Sequence, residues 1–473
     1  MIEIKNVSFS YDASDTETKS DGRLKNINLL IPDGQVVLLC GESGCGKTTL
    51  TRLINGLIPH FYEGNLEGKV GINGKDVTEI PLYETAFLVG TVFQNPRSQF
   101  FNVDTTSEIA FGLENRGLAA DVIMEKVNQT VKEFQIEKLM NRNIFKLSGG
   151  EKQKIAGASV AACSPDIYLL DEPSANLDKK AMYQLREMIL RWKAQGKTIV
   201  IAEHRLAYIW DLIDRAVLLK QGEIFKDFDV TKIREMTPED MHGLGLRSNV
   251  ESVLKEDKMP DAEDTDHREM IEFRDFSFAY GKELVLSFSK LAVKEKQITT
   301  VVGSNGIGKS TFLRCICGLE KKCKGTMYWH GNAYGRKKRL NEIFLVMQDV
   351  NHQLFTESVL DEVLISMKEE DEKKAEEILA LLDLAEYKNR HPLSLSGGQK
   401  QRLAVATAVA SEREIVLFDE PTSGLDHHHM LQVGEILKRL AENGKTVLVV
   451  THDTELIETL NSDVIDLEKY NHR

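Results

Sequence analysis

Two stretches decide the fold: Val36-Val-Leu-Leu-Cys-Gly41-Glu-Ser-Gly-Cys-Gly-Lys47-Thr48 and Ile298-Thr-Thr-Val-Val-Gly303-Ser-Asn-Gly-Ile-Gly-Lys309-Ser310. In each, a short apolar run ends in a glycine-rich loop of pattern GxxxxGK[ST], and a helical pattern follows. The run reads as a buried strand and the loop as a phosphate cradle. Glycine lets consecutive N–H groups curl around phosphate oxygens. Lys47 and Lys309 place a point charge at the β- and γ-phosphates, and the hydroxyls of Thr48 and Ser310 are suited to Mg²⁺. By composition one such match is expected by chance at roughly one position in 10⁴–10⁵, and two in register with a repeat are not a chance turn.

The repeat runs outward from these loops. Residues 1–11 read MIEIKNVSFSY and residues 270–280 read MIEFRDFSFAY, with six of the eleven identical. LSGGEKQK from Leu147 returns as LSGGQKQR from Leu395, and IYLLDEP from Ile167 as IVLFDEP from Ile415. The spacing between copies falls from 269 residues at the start to 262 at Lys47/Lys309, 254 at Gln94/Gln348 and 248 from Ser148/Ser396 onward. The first copy therefore carries extra residues upstream of Ser148. One block is polar, Asp12–Arg23, and is expected to be an exposed loop; another is Ile58–Asn65. Projected back, the first copy ends near Phe225 and the second starts at Met270. This gives a first domain over 1–225, an acidic linker over 226–269 and a second domain over 270–473. Glu251–Glu269 holds eight acidic and three basic residues, the composition of a solvated tether.

Within each copy, buried strands such as Val36–Cys40, Ile167–Leu170 and Thr198–Ile201 alternate with helical patterns. Leu185, Met188, Ile189 and Trp192 recur on one helical face. The alternation predicts an α/β domain around a mainly parallel sheet. The 473-residue chain has 42% hydrophobic and 28% charged residues, which excludes wholesale disorder. No apolar run approaches the roughly 18–20 residues needed to span a bilayer, and the opening residues lack the pattern of a signal peptide. A net charge of −13 argues against bulk attraction to nucleic acid or an anionic membrane. The six cysteines form no CxxC pair and read as reduced, mostly buried thiols.

The strands Ile167–Asp171 and Ile415–Asp419 each end in two adjacent acids, Asp171-Glu172 and Asp419-Glu420. Paired carboxylates at the end of a buried strand call for a nearby cation. The first acid suits Mg²⁺ and the second suits the polarisation of an attacking water.

With these motifs in place, both copies resemble the nucleotide-binding domain of ABC ATPases. LSGG at 147–150 and 395–398 matches the family signature, Gln94 and Gln348 the Q-loop glutamine, and Ser174-Ala-Asn-Leu-Asp178 and Ser423-Gly-Leu-Asp426 the D-loop. His204 and His452 match the switch histidine, and Tyr11 and Tyr280 the aromatic placed against adenine. The resemblance implies two tandem P-loop NTPase domains. Each has a parallel sheet core, a small antiparallel part and a helical signature subdomain. It implies ATP hydrolysis with Glu172, Glu420, His204, His452, Lys47 and Lys309 as catalytic residues. ATP would be bound by Tyr11, Gly41, Gly44, Gly46, Lys47, Thr48 and Thr49, and in the second copy by Tyr280, Gly303, Gly306, Gly308, Lys309, Ser310 and Thr311. Mg²⁺ would be bound by Thr48, Gln94 and Asp171, and by Ser310, Gln348 and Asp419. It further implies that the halves pair head-to-tail, within one chain or between chains, and the 44-residue linker favours pairing within one chain. Ser396, Gly397 and Gly398 then complete the first site, and Ser148, Gly149 and Gly150 the second. The first signature departs from the pattern at Glu151 and Lys154, where glutamine and arginine are usual. The anionic Glu151 is expected to weaken the second composite site.

The stretches Val92–Phe101 and Glu108–Asn115, with Asn55–Tyr62 and Ala202-Glu-His-Arg205, resemble the ATPases of energy-coupling-factor importers. There a second glutamine, here Gln99 with Gln353 in the second copy, opens a short helix that receives a membrane partner. That resemblance implies a peripheral protein on the cytoplasmic face of the membrane, with no nucleic-acid partner. It would drive an integral coupling subunit and a separate substrate-binding membrane subunit, for a vitamin, a vitamin precursor or a transition-metal ion. Phe100, Phe101, Leu354 and Phe355 fit either core packing or a partner groove. Two other families share the domain count: soluble ribosome-associated tandem ATPases, and tandem ATPases of other importers. Both switch histidines, the acidic linker and the intact second phosphate loop distinguish this chain from their usual patterns.

Overall fold

The computed structural model describes residues 1–11, 22–175, 177–251 and 270–471. The chain divides into two compact units, Met1–Val250 and Glu251–Arg473. Each is built on the same plan.

In the first unit a six-stranded sheet has the order Glu223–Asp229, Arg215–Lys220, Val36–Cys40, Thr198–Ala202, Ile167–Asp171, Val89–Val92. All neighbours are parallel except the edge hairpin of Arg215–Lys220 with Glu223–Asp229. A second, antiparallel sheet joins Leu24–Ile31, Ile2–Tyr11, Gly64–Ile72 and Lys75–Asp76. The second unit has a five-stranded parallel sheet, Ile343–Val346, Ile415–Asp419, Thr446–Val450, Ile298–Val302, Asp463–Asp466, beside the antiparallel set Glu283–Lys294, Met270–Tyr280, Lys324–Trp329 and Asn332–Tyr334. Both units are thus α/β around a mainly parallel sheet, as the alternating pattern predicts, and each carries the small antiparallel part that the resemblance implies.

The unbroken apolar runs follow from two-sided burial of the parallel strands. Val36, Leu38 and Cys40 face one core, and Val37 and Leu39 the other. The first of these cores also takes the apolar face of helix Lys179–Ala194. Leu185, Met188, Ile189 and Trp192 are all buried there, and Trp192 stacks on Tyr168 with ring centroids 3.9 Å apart. The parallel strands all end at one edge of the sheet, and the loops leaving that edge carry the chemical motifs.

One boundary differs from the sequence reading. Residues 226–250 are not tether: they belong to the first unit. Glu223–Asp229 is a strand, and the helices Val230–Glu235 and Pro238–Gly243 follow, each opened by a side-chain cap from Asp229 or Thr237. Ile233, Met236, Met241 and Leu246 are buried in the unit's core. These apolar residues are spaced thinly among charged ones, so the composition of the stretch resembles a linker although one face of it packs. The rest of the acidic segment, residues 252–269, lies outside the described residues, as do residues 12–21 of the polar block. In the second block Leu57–His60 is a short helix, and strand Gly64–Ile72 begins at its end. Among the cysteines, Cys40, Cys45, Cys315 and Cys317 are buried and all six are free thiols.

Candidate functional site

The phosphate-type loop of the first unit leaves strand Val36–Cys40 and runs into helix Lys47–Ile54. Gly46 adopts φ +104°, and a Cβ there would fall 2.6 Å from Leu24 Cδ2. Its counterpart Gly308 has φ +109° and would meet Leu286 Cδ2 at 2.9 Å. Both positions therefore demand glycine on two counts. The lysines are buried and turn back onto their own loops. Lys47 Nζ donates to the carbonyls of Gly41 and Glu42, each at 2.9 Å. Lys309 Nζ donates to those of Gly303 at 2.7 Å and Ser304 at 3.1 Å. The cation is thus held at the mouth of the loop with carbonyl partners that phosphate oxygens can replace.

The acids lie opposite. Thr48 Oγ1 donates to Asp171 Oδ1 at 3.4 Å. Burial pushes the Asp171 carboxyl up to about 7, with the neighbouring Glu172 charge adding to the rise and Arg52, Lys47 and Thr48 opposing it. Asp419 is likewise raised by burial, against the Ser310 hydrogen bond and the charge of Lys309. Its Oδ1 is buried with no hydrogen-bond partner. A buried carboxylate oxygen left open beside a hydroxyl and a lysine fits a hard divalent cation.

Glu172 gathers the rest of the first site. Gln94 Nε2 donates to its Oε2 at 2.6 Å, and His204 Nε2 lies 3.4 Å from its Oε1. In the second unit the backbone N–H of His452 donates to Glu420 Oε2 at 3.3 Å. The His452 ring lies 3.8 Å from Glu420 Oε1 and 3.2 Å from Asn305 Oδ1 of the phosphate-type loop. Both glutamates sit at positive φ, 45° for Glu172 and 52° for Glu420. This left-handed backbone is unfavourable for a residue with a Cβ. The strain aims both carboxylates and recurs in both units.

Other sequence-predicted residues sit around this core. Tyr11 stacks edge-on with Tyr62 at 6.3 Å, lies 3.3 Å through its hydroxyl from Thr49 Oγ1 and accepts from Arg52 at 2.9 Å. Tyr280 is half-exposed and accepts from Arg314, the counterpart of Arg52, at 2.9 Å. Thr311 is buried on helix Lys309–Cys317. Ser148, Gly149 and Gly150 open helix Gly149–Ala162, and Ser396, Gly397 and Gly398 open Gly397–Ala410. Glu151 closes a reciprocal capping box with Ser148, just as Gln399 does with Ser396. The acid therefore does the same structural work as the usual glutamine, and the Ser148 hydroxyl donates to it at 2.8 Å. Asp178 and Asp426 of the D-loops act as N-caps of the following helices. Asn176 lies outside the described residues.

Several residues were not singled out by their motifs. Glu203 is buried and accepts from the N–H groups of Ser174, His204 and Arg205 and from the Tyr208 hydroxyl. Burial pushes its carboxyl up despite these donors. In the second unit Asp453 takes the corresponding post, accepting from Thr422 Oγ1 at 2.7 Å. Glu108 and Glu362 form a second pair. Glu108 accepts from the N–H groups of Phe101 and Asn102, and Glu362 from those of Phe355 and Thr356. Aligning the copies at the 254-residue spacing pairs these two acids. Gln99 and Gln353 accept the N–H of the residue just before Gln94 and Gln348 respectively. The open question about the apolar pairs resolves residue by residue. Phe100 and Leu354 pack against the cores, whereas Phe101 and Phe355 are 76% and 71% exposed.

Comparison with known proteins agrees with this geometry. The ABC transporter family model matches residues 24–175 and 286–423. A Treponema denticola protein provisionally named an ABC transporter ATP-binding protein is 46% identical, over 99% of this chain and 95% of its own length. Bacillus subtilis YkoD, provisionally named an HMP/thiamine import ATP-binding protein, is 31% identical over 99% of this chain and 90% of its own. Among solved structures, an archaeal ribosome recycling factor in complex with a ribosomal stalk protein superposes with a TM-score of 0.60 at 21% identity, covering 93% of this chain and 84% of that one. That likeness is one of fold. With two matched cassettes and full-length relatives, the chain belongs to the ABC transporter family, and its enzymatic activity is ATP hydrolysis.

Proposed function

We propose that this chain is the ATPase subunit of a membrane importer of the energy-coupling-factor type, for a vitamin, a vitamin precursor or a transition-metal ion. The observation that carries this reading is the display of Phe101 and Phe355. Each is a large, exposed aromatic side chain on a loop pinned by a buried glutamate, seven residues beyond its Q-loop glutamine. An exposed aromatic on a braced backbone is a docking feature rather than a core residue. Its short covalent path to Gln94 or Gln348 links docking to the ATP site. The full-length likeness to a relative named for HMP/thiamine import supports the same reading. No helix among the described residues is long and apolar enough to cross a membrane. Transport thus requires integral partners, a coupling subunit and a substrate-binding subunit, with this chain on the cytoplasmic face.

In this reading the loops Gly41–Thr48 and Gly303–Ser310 hold the triphosphates through their N–H groups and lysines. Tyr11 and Tyr280 stack on adenine. Glu172 and Glu420 accept the proton of the attacking water, and His204 and His452 orient that water and the γ-phosphate. Thr48, Asp171 and Gln94, with Ser310, Asp419 and Gln348, would hold Mg²⁺, which when bound neutralises charge on the phosphate oxygens. The helix starts at Ser148 and Ser396 each present N–H groups to the γ-phosphate held by the other half. Nucleotide binding then draws the halves together, and hydrolysis releases them.

The test is recovery of the tagged chain from detergent-solubilised membranes of its native cell, with a ribosome gradient run in parallel. Co-purification of small polytopic proteins, lost in Phe101→Asp/Phe355→Asp while ATPase activity persists, is the expected result. Sedimentation with ribosomes and no integral partner overturns it in favour of a ribosome-associated ATPase.

A further inference from the structure

Each phosphate-type loop is bridged to the adjacent antiparallel strand by a donor and an acceptor of one residue, and the two bridges have different origins. In the first unit the bridging groups are backbone. The Gly222 N–H donates to the Cys45 carbonyl at 3.2 Å, and the Gly222 carbonyl accepts from the Lys25 N–H at 2.8 Å. In the second unit they belong to a side-chain carboxamide. Asn471 Nδ2 donates to the Ile307 carbonyl at 2.9 Å, and Asn471 Oδ1 accepts from the Ser287 N–H at 2.8 Å. Cys45 and Ile307 correspond, as do Lys25 and Ser287, at the 262-residue spacing of the loops. The carboxamide thus supplies, from one side chain, the donor and the acceptor that Gly222 supplies from the two peptide groups flanking its Cα.

The reason lies in the chain path. In the first unit the strands Arg215–Lys220 and Glu223–Asp229 form a tight hairpin whose turn brings Gly222 against Arg23. A Cβ there would fall 2.2 Å from the Arg23 carbonyl oxygen, so only bare backbone fits. In the second unit the strand Asp463–Asp466 runs instead into a short helix, Leu467–Tyr470. The hairpin glycine has no equivalent, and Asn471, almost fully buried, fills its post. Asn471 Nδ2 makes a further bond to the Val285 carbonyl at 2.9 Å. Glu468, on the same segment, accepts from the Ser304 N–H at 2.8 Å.

We propose that Asn471 is a positioning residue for the second ATP site. It fixes the Ile307 carbonyl, two residues before Lys309, and so keeps the N–H groups of Gly303–Ser310 aimed at the phosphates. This rests on the assignment of that loop to ATP. It predicts a defect in nucleotide affinity confined to one of two otherwise similar sites.

The experiment uses the full chain and the fluorescent analogue mant-ATP with Mg²⁺. Lys47→Ala disables the first loop and reports on the second site; Lys309→Ala does the converse. Adding Asn471→Ala is expected to weaken second-site binding about ten-fold, in line with loss of buried hydrogen bonds. First-site binding should stay within about two-fold. Asn471→Asp keeps the acceptor for Ser287 and loses both donated bonds, so it should fall close to alanine. In steady state KM for ATP rises while kcat at saturation changes little, a split that general destabilisation does not give. Unchanged second-site affinity in Asn471→Ala and Asn471→Asp overturns the proposal. Equal weakening at both sites with a lowered Tm also overturns it. Failure of the Lys47→Ala parent to bind mant-ATP overturns the assignment of the loop itself, and the proposal with it.

Discussion

At the scale of single residues, Glu172 and Glu420 occupy equivalent posts with different company. Glu172 holds Gln94 and faces His204, whereas Glu420 is bonded by the backbone of the switch segment. Both place a carboxylate beside the switch histidine, where the proposed reading puts a general base. Replacing either by glutamine is expected to lower phosphate release at its own site by roughly 10²–10⁴-fold. Turnover of the full chain therefore falls in both single variants. An unchanged rate in Glu172→Gln shows that the first site is not productive. Glu203 gives a second prediction. Each of its oxygens faces two donors, so Glu203→Gln turns an NH₂ group toward two N–H or O–H groups. The expected cost is about 1–3 kcal/mol of stability, read as a fall in Tm of the nucleotide-free chain.

At the scale of elements, the segment 223–250 shows what the sequence hides. The phosphate loops, paired acids and parallel strands were legible because their chemistry demands particular residue types in a row. The helices Val230–Glu235 and Pro238–Gly243 were not, because single apolar residues separated by charges give no strong period over so short a length. Met241 is fully buried against the first core. Met241→Ala is expected to destabilise the first unit by about 2–5 kcal/mol, measured by denaturant unfolding. A residue on a solvated tether would give no change. The site was legible to a similar depth. Lys47, Asp171, Glu172 and His204 declared themselves by motif. Glu108 and Glu362 emerge only when the two copies are aligned and the loop is seen in three dimensions. Asn471 could not be found by matching letters, because its counterpart is not a side chain.

At the scale of the molecule, two sets of the same motifs on one chain make a prediction about assembly. In the proposed reading each signature serves the loop of the other half. Slowing hydrolysis with Glu172→Gln/Glu420→Gln should therefore trap the closed form in MgATP. If the halves pair within one chain, this form sediments at the 53.3 kDa of a single chain and more compactly than without nucleotide. A doubled mass shows pairing between chains instead.

The left-handed backbone at Glu172 and Glu420 carries a consequence for how this sequence is free to change. Folding alone favours glycine there, by roughly 1 kcal/mol per position. Glu172→Gly should keep or raise Tm while lowering turnover as Glu172→Gln does. A population selected only for heat resistance would drift toward glycine at 172 and 420 and lose its ATP hydrolysis without losing its shape. In the proposed reading, glutamate stands at both places at a cost to the fold because the carboxylate is needed there, a trade legible in a dihedral angle.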